Sequence, residues 1–251
     1  MLETALPQEL GQWLGGLFEI GSTAGFRIRK ELARKGSVKF YSLPYIKFQE
    51  QDEDKITRFK NLFELDGKNS HISTIIWAKA AELIALMAGF APSRRDLIDA
   101  VLLWQVSDVQ TRLAIAEEFG SSKRFFNGNY IQAQHYRHLV NLPSFVAGNL
   151  DGRAFFGTQF VCATDYDRAY PLIEIQSINR PLLEALHCRF DGNLSLPVPA
   201  GTTVSINGIC CVTKRESVKL SLVGNDARRI VQFAEPYILL SKPQAQLLLA
   251  A

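Results

Sequence analysis

The sequence predicts an α+β protein made by internal duplication, each half reading helix, two strands, helix, two strands, helix. Three observations carry this. The segment 44–49 (PYIKFQ) returns as 171–176 (PLIEIQ), at an offset of 171 − 44 = 127. Both alternate with the strand period of two, through Ile46 and Phe48 in one and Ile173 and Ile175 in the other. Each leads into a helical stretch, 53–65 and 180–190, that closes on a turn signal, Asp66-Gly67 and Asp191-Gly192.

The elements follow in order. Residues 8–20 (QELGQWLGGLFEI) place Leu10, Trp13, Leu14 and Leu17 on one side of a helix. Residues 139–151 (LVNLPSFVAGNLD) are similar but interrupted by Pro143. Each carries a small pair near its end, Gly15-Gly16 and Ala147-Gly148, and each precedes a strand-rich stretch, 22–31 and 153–166. Pro181 suits a first helical turn. Downstream, the first half predicts a strand at 74–78 and a helix at 79–89. The phrase 90–95 (FAPSRR) breaks that helix, and helical segments at 95–105 and 107–119 follow. The second half predicts strands near 202–212 and 216–222, then helices at 225–234 and 242–250. Residues 120–137 are polar and turn-rich and read as a linker between units at 7–119 and 138–251.

Composition adds bounds. With 47% hydrophobic and 21% charged residues, the chain suits one large domain or two small ones. No run approaches the roughly 18 apolar residues of a membrane span. The start shows neither a secretory signal nor an Arg-rich transit pattern. Cys162, Cys188, Cys210 and Cys211 form no C-x-x-C pair and read as buried apolar thiols of an intracellular, reducing compartment, a bacterial cytoplasm or an organelle (mitochondrion or chloroplast). His71, His135, His138 and His187 show no metal-ligand spacing. A net charge of +3 and a pI near 8.6 permit nucleic acid without demanding it.

The sharpest motif is Leu14-Gly15-Gly16-Leu17-Phe18-Glu19-Ile20-Gly21-Ser22. It resembles L-A-G-L-I-D-A-D-G through Leu14, Gly16, Leu17 and the acid Glu19. Residues 146–154 (VAGNLDGRA) resemble it through Ala147, Gly148 and Asp151. Over both units the chain resembles a two-repeat LAGLIDADG homing endonuclease or maturase. That resemblance implies two αββαββα repeats about a pseudo-twofold axis, in a monomer. It also implies motif helices packed through their small residues and a saddle of antiparallel strands laid on nucleic acid. In that family the eighth motif position is an acid, and the two carboxylates hold divalent metals that activate water and stabilise the leaving oxygen.

Here the eighth positions are Gly21 and Arg153. Glycine offers no ligand, and arginine brings a fixed positive charge. The remaining acids, Glu19 and Asp151, stand two residues earlier. About 200° of helical rotation turns them away from the site, and they are expected as helix-end or surface groups. No catalytic residue, metal or cofactor is therefore expected; Mg²⁺ enters only if an endonuclease activity survives.

The expected ligand-facing residues lie mainly in the first half. Arg27 and Arg29 share a strand face, as do Lys39 and Tyr41, and Tyr45, Lys47 and Gln49 alternate alike. Lys30, Arg34 and Lys35 crowd the hairpin tip. The resemblance adds basic residues before the third helix of each repeat, Arg94 with Arg95, and Lys242. In the second half Glu174 replaces Lys47, and Lys214, Arg215 and Lys219 supply its last hairpin. The linker interleaves Lys123, Arg124, Phe125, Phe126, Asn129 and Tyr130, a pattern for stacking on bases or for anchoring the linker. Three functions compete. The first is nucleic-acid binding on a catalytically degenerate scaffold, with structured RNA favoured over duplex DNA, in a maturase-like or larger ribonucleoprotein or ribosomal setting. The second is site-specific DNA cleavage by displaced acids. The third is a protein–protein scaffold.

Overall fold

The computed structural model describes residues 7–32, 38–50, 52–65, 72–119, 131–163, 166–206, 209–212 and 215–250. The first half comprises α1 (Pro7–Ile20), β1 (Thr23–Leu32), β2 (Val38–Gln49), α2 (Glu53–Leu62), β3 (Ile72–Ile76), α3 (Trp77–Leu86), α4 (Arg95–Val106) and α5 (Val109–Phe119). The second comprises α6 (Pro143–Arg153), β4 (Ala154–Ala163), β5 (Tyr166–Ser177), α7 (Arg180–Phe190) and β6 (Asn193–Leu194). It continues through β7 (Thr203–Ile206), β8 (Ile209–Val212), β9 (Val218–Val223), α8 (Asn225–Ala234) and α9 (Lys242–Ala250).

Local chemistry sets the boundaries. Asp52 caps α2, its Oδ1 accepting from the amides of Asp54 and Lys55, and Asn179 caps α7 by accepting from the amide of Leu182. These two caps are repeat counterparts, since 179 − 52 = 127. Pro143 has no amide hydrogen to give and so begins α6 instead of interrupting it, while Leu139–Asn141 forms a separate 3-10 turn. The helix expected from 139 is thus corrected to a start at 143. Similarly, the strand expected at 74–78 lies at 72–76, and the helix expected at 79–89 spans 77–86.

The strands form antiparallel sheets in the orders β1-β2-β3 and β4-β5-β9-β6, with β7-β8 as a separate pair. The second half carries two strands or more on either side of α7. In the first, among the described residues, β3 alone stands between α2 and α3. It matches β9, because Ile76 pairs with Tyr45 as Val223 pairs with Leu172.

The helix pair α1 and α6 sits at the centre of one contiguous apolar core drawn from both halves, with Leu14, Leu17, Phe18, Phe145 and Leu150 fully buried. Each such side chain contributes about 1.5–3 kcal/mol by leaving water. The contact is reciprocal. A Cβ built on Gly16 would lie 2.0 Å from the carbonyl oxygen of Phe145 and 3.0 Å from the amide of Asn149; one on Gly148 would lie 2.0 Å from the Trp13 oxygen and 2.9 Å from the Leu17 amide. All three pairs differ by the same offset (148 − 16 = 145 − 13 = 149 − 17 = 132). A self-complementary contact of this kind is the signature of a twofold axis, here between repeats of one chain. Gly16 and Gly148 make the approach; Gly15, expected beside them, faces Phe90 instead.

The first half has one further layer. Trp104 on α4 donates to Ser42 Oγ at 2.7 Å and meets Phe26, and Arg112 on α5 stacks over its ring at 4.6 Å. Among the described residues no helix is long and apolar enough to cross a membrane. Cys188 is exposed, which corrects its assignment as a buried thiol.

Candidate nucleic-acid interface

The ends of α1 and α6 bring Gly21 and Arg153 together. A Cβ on Gly21 would stand 2.7 Å from Arg153 Cγ and Nε, so the arginine stem occupies the space a side chain at 21 would need. Arg153 is otherwise exposed. A single cation thus lies over bare backbone where the two motif helices end.

The neighbouring acids point inward. Glu19 and Asp151 are buried, correcting their expectation as helix-end or surface groups. Glu19 accepts from the Ser93 amide (2.8 Å), Tyr136 Oη (2.6 Å) and Asn179 Nδ2 (2.6 Å). Asp151 accepts from Trp13 Nε1 (2.9 Å) and from the amides of Leu239 (2.8 Å) and Ser241 (2.7 Å). Burial raises both carboxyl pKa values above the ordinary range, and these donors oppose the rise. Burial also raises Tyr136, which Glu19 pushes further in the same direction. Each acid therefore ties its own motif helix to the segment opening α4 or α9, and also receives a donor from the opposite half.

A metal does not fit this donor set. The eighth positions hold no side-chain oxygen, and the two acids are buried and each accepts from three N–H or O–H donors. Among the described residues no group of three or more His, Cys, Asp or Glu side chains could hold an ion.

The outward sheet faces follow from register, because directly opposed residues of an antiparallel pair share a face. Arg27 pairs with Leu43, Arg29 with Tyr41, Glu31 with Lys39, and Thr23 with Lys47. Lys47 and Gln49 pair in turn with Thr74 and Ile72. The structure thus gathers Arg27, Arg29, Lys39, Tyr41, Lys47 and Gln49 on one face, while Phe26, Ile46, Phe48 and Ile75 fill the core behind it. Among the described strand residues the face holds four cations against one anion, Glu31, which meets Arg29 at 3.4 Å; Glu117 of α5 lines a hollow with Arg27 and Lys47. Arg27 lies 5.7 Å from the Tyr45 ring centre.

The matching face of the second half carries Arg168 and Lys219 against Glu174. Lys219 Nζ donates to Glu174 Oε1 at 2.6 Å, and Ser221 Oγ donates to the same oxygen at 3.2 Å. Lys219, expected to meet a ligand, is thus engaged by its neighbour across the strands.

The basic residues at the entries to α4 and α9 sit differently from one another. Arg94 is half-buried beside Glu19; burial lowers its pKa and the Glu19 charge opposes that. Its location makes it part of the interior around Glu19 more than a surface contact. Arg95 is exposed with Asp99 3.8 Å away, and Lys242 opens α9, half-buried. Arg34, Lys35, Lys214 and the linker residues Lys123 to Tyr130 lie outside the described residues. Tyr136, assigned to the linker by sequence, is fully buried between Glu19 and Asn179.

The latch residues Trp13, Ser93, Tyr136, Asn179 and Ser241 went unread in the sequence. One signal was present: Ser93-Arg94 and Ser241-Lys242 are matching Ser-basic pairs at the two helix entries.

Neither a family model nor a curated protein matches the sequence. Solved structures do match in shape. The I-LtrWI LAGLIDADG homing endonuclease bound to target DNA is 11% identical, covering 98% of this chain and 91% of its own, with a TM-score of 0.56. The I-CpaMI meganuclease bound to uncleaved DNA is 15% identical (94% and 88% covered, TM-score 0.50). I-SmaMI bound to an uncleaved DNA target in the presence of calcium ions is 12% identical (90% and 84%, TM-score 0.51). The chain has the LAGLIDADG homing-endonuclease fold.

Proposed function

We propose that this chain binds nucleic acid through the outward face of β1–β3 and does not cut it. Structured RNA is the favoured ligand, in a maturase-like or ribonucleoprotein role. The observation that carries this reading is Arg153 lying over Gly21, where the fold's nucleases are expected to hold metals. A guanidinium there grips a phosphate through its planar fork but activates no water. On the face of β1–β3, Arg27, Arg29, Lys39 and Lys47 neutralise phosphates, and Tyr41 and Gln49 offer hydrogen bonds.

The preference for RNA rests on the unequal faces. A pseudo-symmetric DNA duplex presents phosphates equally to both halves, yet the second face is nearly neutral and its Lys219 is paired. A folded RNA, recognised by shape and by unpaired segments, needs no such symmetry. The protein acts as a monomer, with an organelle or bacterial cytoplasm as its setting. Duplex DNA is the second reading, favoured by the DNA-bound structures that share the fold.

The test is a gel-shift and nicking assay with Mg²⁺ on an RNA hairpin and a DNA duplex of equal length. Retention of both, tighter for RNA, with neither cut is expected. Sequence-specific nicking of the duplex would overturn the reading.

A further inference from the structure

Backbone strain marks the end of β3, which borders the outward face of β1–β3. Three residues other than glycine have a left-handed φ among the described residues: Glu64 (52°), Trp77 (68°) and Asp191 (64°). Glu64 and Asp191 are repeat counterparts (191 − 64 = 127), each just past a helix. The reversal there belongs to the fold. Trp77 is different. It follows Ile76 as Gly224 follows Val223, and those two strand ends match by register. Gly224 has φ of 61°, close to that of Trp77. The fold therefore asks for a left-handed residue between this strand and its helix in both halves. The second half supplies glycine, which adopts it freely, and the first supplies a bulky aromatic, for which it is a true outlier.

Packing does not explain the choice. Trp77 is 48% exposed, whereas Trp13 is 2% exposed in the core. Its chain neighbour Ile76 lines a hollow of about 470 Å³ together with Arg27, Arg29 and Leu43, on the cationic face described above. Strain held in an exposed side chain next to a ligand-facing surface points to use and not to stability.

We propose that Trp77 is a stacking platform for an unpaired base, beside the cations that hold the adjoining phosphates. This rests on the nucleic-acid reading given under Proposed function. An indole face accepts any base, and guanidinium groups nearby anchor the backbone on either side. An apolar protein partner is the competing occupant, but the three cations lining the hollow, Arg27, Arg29 and Lys30, favour a polyanion.

The experiment uses the full chain, Trp77→Gly and Trp77→Phe, with Arg27→Ala/Arg29→Ala as a reference. Ligands are a hairpin RNA with a single-stranded loop and a fully paired RNA of equal length. Trp77→Gly is expected to keep or raise the denaturation midpoint, as the glycine at 224 implies. It should lose about tenfold in affinity for the looped RNA and little for the paired one. Trp77→Phe should retain most of the affinity, and wild-type tryptophan emission should be quenched by the looped RNA. If Trp77→Gly is destabilised and binds both RNAs like wild type, Trp77 is structural and the proposal fails, while a loss in the arginine variant keeps the nucleic-acid reading intact. If wild type binds neither RNA, that reading fails and takes the stacking site with it.

Discussion

The outward sheet face of the first half carries Arg27, Arg29, Lys39 and Lys47 against Glu31, while that of the second carries Arg168 and Lys219 against Glu174. Behind these unlike faces, α1 and α6 meet through contacts that match residue for residue. Between the two lies a middle case: both halves bury one motif acid, but by different means. Asp151 receives the Trp13 indole, whose counterpart is Phe145 (145 − 13 = 132), and Glu19 receives the amide of Asn179, whose counterpart is the acid Asp52. Close packing leaves no freedom at the axis, buried hydrogen bonds leave some, and solvated faces leave most. Duplication is thus preserved from the inside outward.

The largest effects should come where the halves are most alike. Gly16→Ala and Gly148→Ala each push a methyl onto a backbone oxygen across the axis. Each should lose about 3 kcal/mol or more in urea unfolding. Equal losses would sharpen the comparison; a mild effect at one site alone would break the reciprocity of the contact.

Next come the latches. Asp151→Asn and Glu19→Gln put an amide NH₂ against donors and should cost about 1–3 kcal/mol each, read by chemical denaturation. A neutral result in either would mean that the acid is not what fixes the entry to α4 or α9.

A smaller effect concerns pH. Both carboxyls have folded pKa values raised by burial, so the folded state holds protons that the unfolded state has already released. Stability from this source is full below the ordinary carboxylate range and is lost as pH rises through the raised values. Unfolding curves between pH 4 and pH 8 (about the range that brackets ordinary carboxylates and neutrality) should show wild type losing more stability with rising pH than Glu19→Gln. A parallel decline in both proteins would count against Glu19 as a contributor.

Much of this architecture was legible in the sequence, for identifiable reasons. The 127-residue return of PYIKFQ as PLIEIQ reports strand alternation, which one chain displays directly. The strands and helices of 202–250 fall close to their expected places. Gly21 and Arg153 were readable because the motif fixes their register. What stayed hidden needs tertiary partners. Glu19 and Asp151 look like helix-end charges until Tyr136, Asn179 and Trp13 arrive from the opposite half. The pairing of Lys219 with Glu174 depends on β5 and β9 lying side by side across 45 residues of sequence. The strain at Trp77 leaves no trace in composition or period and emerges only beside Gly224.

The central claim is that, of the two sheet faces, the first half's grips the ligand. It is tested most directly by affinity for one RNA hairpin at several salt concentrations, with two variants that each remove two charged groups. Arg27→Ala/Arg29→Ala should weaken binding and flatten the log–log salt slope by about one unit per lost phosphate contact. Glu174→Gln/Lys219→Ala, which deletes the second-half ion pair without changing net charge, should leave affinity and slope as in wild type. Equal weakening by the two variants, or salt-independent binding in all three proteins, would contradict the account.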